Sequence, residues 1–126
     1  MNGNPKKMNK PTKTYDCYEV VKVPFPFTDV QATKVRPALI LSSAKYFNAK
    51  IGLSVMAMIT SLKPAQEGWP ADVLIENLQP TGLPVPSIIR FKLFTLDHRL
   101  ILDRLGKLSE KDQHNVQKKL KEILNL

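Results

Sequence analysis

The sequence predicts a mainly β protein with helices, an α+β chain folded as a small, strongly curved barrel or sandwich that ends in one helix. Three observations predict it. Short apolar runs rich in β-branched and aromatic residues recur along the chain, proline-rich connections separate them, and residues 109–126 switch to helical spacing of apolar positions. With 126 residues there is material for a single modest core. Residues 1–14 read as a disordered basic tail and residues 15–126 as one domain.

The tail carries Lys6, Lys7, Lys10 and Lys13 with no acid and no apolar periodicity. From Tyr18 the pattern changes: Val21, Val23, Phe25 and Phe27 alternate with Lys22, Pro24 and Pro26, the period of a half-buried strand. Proline cannot donate to a ladder, so Pro24 and Pro26 place this end of the strand at a sheet edge or leaving it. A polar loop over residues 28–34 follows. Arg36 and Pro37 then open a continuous apolar run to Ser42, which suits a strand buried on both faces. Residues 44–50 form a helical turn or a loop.

Residues 53–59 give a third strand that ends in two hydroxyls, Thr60 and Ser61. Residues 63–70 are a loop holding Pro64, Gly68 and Trp69, and residues 71–76 a fourth strand. Residues 77–86, with Pro80, Gly82, Pro84 and Pro86, contain too many breakers for a regular element. Residues 87–95 form a fifth strand, and residues 100–105 a sixth strand or a helical turn before Gly106. In the last element Ser109 is an N-cap with Asp112 three residues on, and Val116, Leu120, Ile123 and Leu124 form the stripe packed on the sheet. Cys17 reads as a strand residue. Alone it forms no internal disulfide, and beside only His98 and His114 it is too little for a structural zinc site.

Lys and Arg number 19 against 11 Asp and Glu, a formal net charge of +8. That excess suits a polyanionic or acidic partner. No apolar run reaches the roughly 20 residues of a membrane span, and the first residues lack the apolar core of a secretory signal, so a cytoplasmic location is expected. Walker, GxGxxG, HExxH and GxSxG motifs are absent. His98, in a polar turn, and His114, early in the helix, read as surface residues. The remaining candidate chemistry is one cation and two hydroxyls. The Arg36 guanidinium matches two phosphate oxygens and stabilises charge that grows in a phosphoryl transition state, and Thr60 offers a hydroxyl to the phosphate or to a ribose 2′-OH. Read as ordinary strand residues, the same pair would be a surface arginine and a β-branched threonine.

The stretches VPFPFTDVQATKVRPALILS with Arg36-Pro37, Met58-Ile59-Thr60-Ser61, Pro86-Ser87-Ile88-Ile89-Arg90 and Phe94-Thr95-Leu96-Asp97 occur in this order. Together they resemble the MazF/PemK family of toxin endoribonucleases, over most of the chain. The resemblance implies a CcdB/PemK-like fold, an SH3-like barrel with a C-terminal helix, usually a homodimer whose interface helps form an RNA groove. It implies sequence-specific cleavage of single-stranded RNA with no metal or other cofactor, leaving 2′,3′-cyclic phosphate and 5′-OH ends. It also implies an antitoxin of the MazE/PemI type, whose acidic segment covers the groove. Carried over residue by residue, the family's catalytic arginine falls on Arg36 and its threonine on Thr60, with Ser61 as the adjacent hydroxyl, while Ser87 and Arg90 contact RNA. Phe27, Thr28 and Lys34, in and beside the loop before Arg36, and Trp69, in the loop before the fourth strand, complete the expected RNA-binding set.

Two departures stand out. Tyr18-Glu19-Val20 replaces the family's usual Gly-Asp-Ile, which leaves Glu19 without an assigned role. Phe91-Lys92 stands where some members carry an acid after the fifth-strand arginine. Two rival readings remain at this point: a CcdB-like toxin that poisons a topoisomerase by protein contact, whose C-terminal tryptophan motif this chain lacks, and a barrel that binds nucleic acid without cutting it.

Overall fold

The computed structural model describes residues 13–24, 34–63 and 69–126. Phe25, Phe27, Thr28, the rest of the loop before Lys34 and most of the expected basic tail lie outside them. The described strands are β1 (Glu19–Pro24), β2 (Val35–Ile40), β3 (Leu53–Ser61), β4 (Asp72–Leu74), β5 (Ser87–Asp97) and β6 (Asp103–Lys107). They form one six-stranded sheet in the order β4-β5-β3-β2-β1-β6, antiparallel throughout.

Both faces of this sheet are covered. Val20, Leu39, Ala57, Ile59, Ile89 and Phe91 join Val73, Ile75, Leu108 and Val116 in one core, while Val21, Val23, Ala38, Ile40, Met56, Phe94 and Leu96 join Tyr15 and Ile101 in the other. A central strand buried on both faces carries adjacent apolar residues instead of an alternation. β2 fits that expectation over Ala38, Leu39 and Ile40 but not at its start, where Val35 is exposed. β1 is more buried than its alternation predicts, because Val20 also packs inward and only Lys22 of its centre is exposed. β6 accompanies β1 only from Glu19 to Lys22, whereas β2 continues to Pro24, so the proline falls where one flank of the strand has run out.

Several boundaries differ from the expectations, for local reasons. β4 is three residues long, not six, because the Glu76 and Asn77 amides leave the sheet and donate to the Asp112 carboxylate, each at 3.0 Å. β5 extends to Asp97 because it stays paired with β3 as far as Leu53. The region expected to be a strand or a turn is both, a 3₁₀ turn at His98–Leu100 and then β6, which runs through Gly106. Residues 44–51 are helical, a π turn at Ala44–Asn48 leading into α1 (Ala49–Ile51). Residues 77–86 do hold one regular element, a 3₁₀ turn at Gln79–Thr81.

That turn links the two edges of the sheet. It follows β4, at one edge, yet packs on β6 at the other. Gly82, at φ +74°, and Gly106 permit the approach, since a Cβ on the first would strike the Leu105 carbonyl and a Cβ on the second the Pro80 carbonyl. Helix α2 (Glu110–Leu124) begins as expected, with the Ser109 Oγ accepting from the Asp112 amide at 3.3 Å. The fully buried Asp112 carboxylate then receives the two amides that end β4, which fixes the helix on the sheet. Val116 and Leu120 pack on the core, but Ile123 and Leu124 are exposed, so the stripe covers the sheet with its first half only.

Cys17 is not a strand residue. It lies in the turn before β1, where Tyr18 adopts φ +73° and the Cys17 thiol donates to the Leu41 carbonyl at 3.2 Å. Burial pushes this thiol up to about 11, so it stays protonated at neutral pH.

Candidate functional site

Strand register decides which of the expected residues meet. Ala38, Leu39 and Ile40 of β2 pair with Met58, Ala57 and Met56 of β3. The same register carried two residues further sets Arg36 beside Thr60, with Val23 of β1 on the other side of Arg36. Opposed residues of antiparallel strands share a face, so Arg36 and Thr60 lie on the face of Ala38 and Met58. Both are half-buried at the end of their strands. Lys22, Val35, Arg36, Pro37, Leu83, Pro84 and Leu105 line an apolar groove of about 380 Å³, in which Lys22, Leu83 and Leu105 belong to the opposite face of the sheet from Ala38 and Met58 and to which Thr60 does not contribute.

Ser61 pairs with Ser87 at the end of the ladder. Ser87 is buried and its hydroxyl donates to the Val85 carbonyl at 2.8 Å, which holds the start of β5. Among the described residues neither the Thr60 nor the Ser61 hydroxyl has a hydrogen-bond partner. Lys34 is exposed one residue before β2.

A second group lies two strands away. Arg90 pairs with Met58 on one side and Asp72 on the other. Its Nε donates to Asp72 Oδ1 at 3.0 Å and its Nη2 to Oδ2 at 2.8 Å, a bidentate pair with little solvent around it. The guanidinium lowers the Asp72 carboxyl below its usual range, and the carboxylate raises Arg90 in return. Asp72 Oδ2 also accepts from the Trp69 amide at 3.1 Å, and the Asp72 amide donates to the Trp69 carbonyl at 3.1 Å. Trp69 is 39% exposed, and the Lys92 ammonium lies 4.8 Å from its ring centroid. A bulge in β5 puts Lys92 there. The ladder passes from Ala57↔Leu93 to Met58↔Arg90, leaving Phe91 and Lys92 as extra residues, of which Phe91 enters the core and Lys92 turns outward.

His98 is not a surface residue. It is buried, with Nε2 2.6 Å from Ser54 Oγ and its ring edge-on to Tyr15 at 5.3 Å. Burial lowers its pKa, which favours the neutral ring. His114 is exposed on α2, as expected. Glu19 acquires a role, because it accepts from Arg104 Nε and from the Asp16 amide, both at 2.9 Å, and so ties β1 to β6 and to the preceding turn. Among the described residues no cluster of three His, Cys, Asp or Glu could hold a metal ion, and no helix is long and apolar enough to cross a membrane.

Sequence reasoning passed over Asp72, Lys92 and Lys22. The signal available for Asp72 was its place three residues after Trp69, a spacing that lets an aspartate cap a turn. Lys92 and Lys22 carried no local signal.

Residues 16–124 match the family of PemK-like, MazF-like toxins of type II toxin–antitoxin systems. Among solved structures, the chain is similar to a MazF from Deinococcus radiodurans, at 26% identity and a TM-score of 0.68, over 90% of this chain and 99% of that one. It is similar to a MazE–MazF complex from the same organism, at 25% identity and a TM-score of 0.70, with the same coverage. An endoribonuclease in complex with its cognate antitoxin from a mycobacterial species shares the fold, at 16% identity and a TM-score of 0.67, over 89% and 96%. Compared with curated proteins by sequence, the chain finds no significant match.

Proposed function

Because the chain belongs to the PemK-like, MazF-like toxins of type II toxin–antitoxin systems, we propose that it is an endoribonuclease that cuts single-stranded RNA at specific sequences. The reaction leaves 2′,3′-cyclic phosphate and 5′-OH ends and uses no metal ion. The observation that supports it is that Arg36 and Thr60 stand at adjoining ends of the neighbouring strands β2 and β3, on the face that the register from Ala38↔Met58 gives them. In such a reaction the ribose 2′-oxygen attacks the adjacent phosphorus and the bond to O5′ breaks. The nucleophile and the target belong to one substrate, so the protein's contribution is orientation and charge stabilisation. Arg36 offers a planar fork to the phosphate oxygens as negative charge builds on them. Thr60 orients the phosphate or the 2′-OH, with Ser61 beside it.

Of the residues expected to touch RNA, Lys34 and Trp69 are exposed and carry that part of the reading, together with Phe27 and Thr28 of the preceding loop. Ser87 is committed to a backbone carbonyl and Arg90 to Asp72, so both shape the wall of the site. The net charge of +8 suits RNA and an acidic antitoxin alike. The similarity to a MazE–MazF complex supports such a partner. The proposed assembly is a homodimer acting in the cytoplasm.

The test is incubation of the purified protein with mixed-sequence single-stranded RNA in EDTA, followed by mapping of the ends. The expected result is cleavage at a restricted set of sequences with cyclic phosphate and 5′-OH ends. RNA left whole would remove the nuclease reading, and cleavage only on adding a divalent metal would remove the proposed mechanism.

A further inference from the structure

The network of Asp72, Arg90, Trp69 and Lys92 is more elaborate than the end of a short edge strand requires. One carboxylate binds a guanidinium through both oxygens and receives the amide of the only tryptophan in the chain. A bulge in the neighbouring strand spends two residues to bring an ammonium over that indole. Large aromatic side chains are ordinarily buried for their apolar area, yet this one is 39% exposed and its backbone is fixed at both the amide and the carbonyl. An indole held in place, with a cation at one face and exposed area remaining, suits a planar ligand carried on a polyanionic chain. The ligand stacks on the ring and its phosphate meets the ammonium.

We propose that Trp69 and Lys92 form a stacking subsite for an unpaired nucleobase, and that Asp72 is the positioning residue that builds it, using Arg90 as its counter-charge. This rests on the reading of RNA as the substrate. Asp72 is two strands from Thr60 and two ladder rows along, so the subsite lies roughly 12 Å from Thr60 at the normal strand and residue spacings. It therefore takes a base near the scissile phosphate, not at it. Asp72 acts through Trp69 and touches no substrate.

The single tryptophan makes the test direct. A fluorescein-labelled 2′-O-methyl oligonucleotide, which lacks the attacking 2′-OH, is titrated with the protein while its anisotropy and the Trp69 emission are followed together. The oligonucleotide carries the sequence found at the cleavage sites, or a randomised pool if none is found. The expected result is saturable quenching of Trp69 that tracks the anisotropy. Trp69→Ala should weaken binding about tenfold or more, and Trp69→Phe by less. Asp72→Asn should reduce the quenching amplitude, and in cleavage assays its effect should fall on KM more than on kcat, as for loss of binding made equally in ground and transition states. Lys92→Gln should weaken binding in low salt and converge on the wild type in high salt. Oligonucleotide that binds without changing Trp69 emission, or that binds folded Trp69→Ala as tightly as wild type, overturns the subsite and leaves the nuclease reading standing. Absence of binding to the wild type overturns both.

Discussion

The two ends of β3 carry similar side chains under opposite conditions. At its start Ser54 is buried against His98, whose ring meets Tyr15, and beside them the buried Asn48 amide donates to the Tyr15 carbonyl at 2.7 Å and the Ser42 carbonyl at 2.9 Å. A serine, a histidine and a tyrosine in contact have the composition of a catalytic group, yet they are closed to solvent, with the serine and histidine hydrogen-bonded to each other and the tyrosine ring packed on the histidine. At the other end Thr60 and Ser61 are half-buried, hydroxyls without hydrogen-bond partners among the described residues, at the strand end that adjoins Arg36 of β2. The difference teaches that residue type marks polar chemistry, while access and unspent hydrogen-bonding capacity mark where that chemistry is available to a ligand. Buried polar groups must be paired to be tolerated, and pairing removes them from function.

Substitutions can break or sharpen this contrast. The largest effect is expected from Arg36→Ala, a fall of about 10²- to 10³-fold in cleavage rate, roughly 3–4 kcal/mol, with the circular dichroism spectrum unchanged. Undiminished activity in the folded variant would take Arg36 out of the site. Next comes Ser54→Ala at the closed end. It leaves the buried His98 nitrogen without its partner, so it should cost about 1–3 kcal/mol in urea unfolding and leave the cleavage rate per folded molecule unaltered. A loss of rate with stability intact would mean that the closed end is functional after all. Thr60→Val keeps shape and removes only the hydroxyl. A drop of about tenfold in rate, near 1.4 kcal/mol, is expected with no change in the melting midpoint, and a shift in that midpoint instead would assign Thr60 to the fold.

The smallest effect concerns pH. Burial holds His98 below its ordinary value of 6.5, so in acid the unfolded chain binds a proton that the folded chain resists. The stability contributed by the neutral ring is therefore complete above about pH 6.5 and is lost as pH falls from there toward the folded pKa. Thermal midpoints at pH 7.5 and 5.5 should separate further in the wild type than in His98→Gln, which can still bond to Ser54. Equal separations would show that His98 does not carry the dependence.

Much of the fold was legible because its signals are local. The apolar runs located the strands, Ser109 and Asp112 located the start of α2, and the prolines located the breaks. What escaped depends on partners distant in sequence. His98 reads as exposed in Leu96-Asp97-His98-Arg99, since nothing nearby reveals Ser54, 44 residues earlier. Asp112 looked like half of a capping box, but its carboxylate serves the end of β4, 36 residues away. Ile123 and Leu124 continue a helical stripe that the sheet does not reach. For Arg36 and Thr60 the places at strand ends were legible, and their proposed roles come from the family resemblance. Asp72 and Lys92 were not, because a bulge is a property of two strands in register and leaves no mark on either one alone.

The most direct test of the account is one paired measurement on Arg36→Ala and Ser54→Ala, recording the RNA cleavage rate per folded molecule in EDTA and the free energy of unfolding for each. The account predicts opposite losses: rate without stability for Arg36→Ala, and stability without rate for Ser54→Ala. Both variants losing rate alike, or both losing only stability, would contradict the division of β3 into a working end and a structural one.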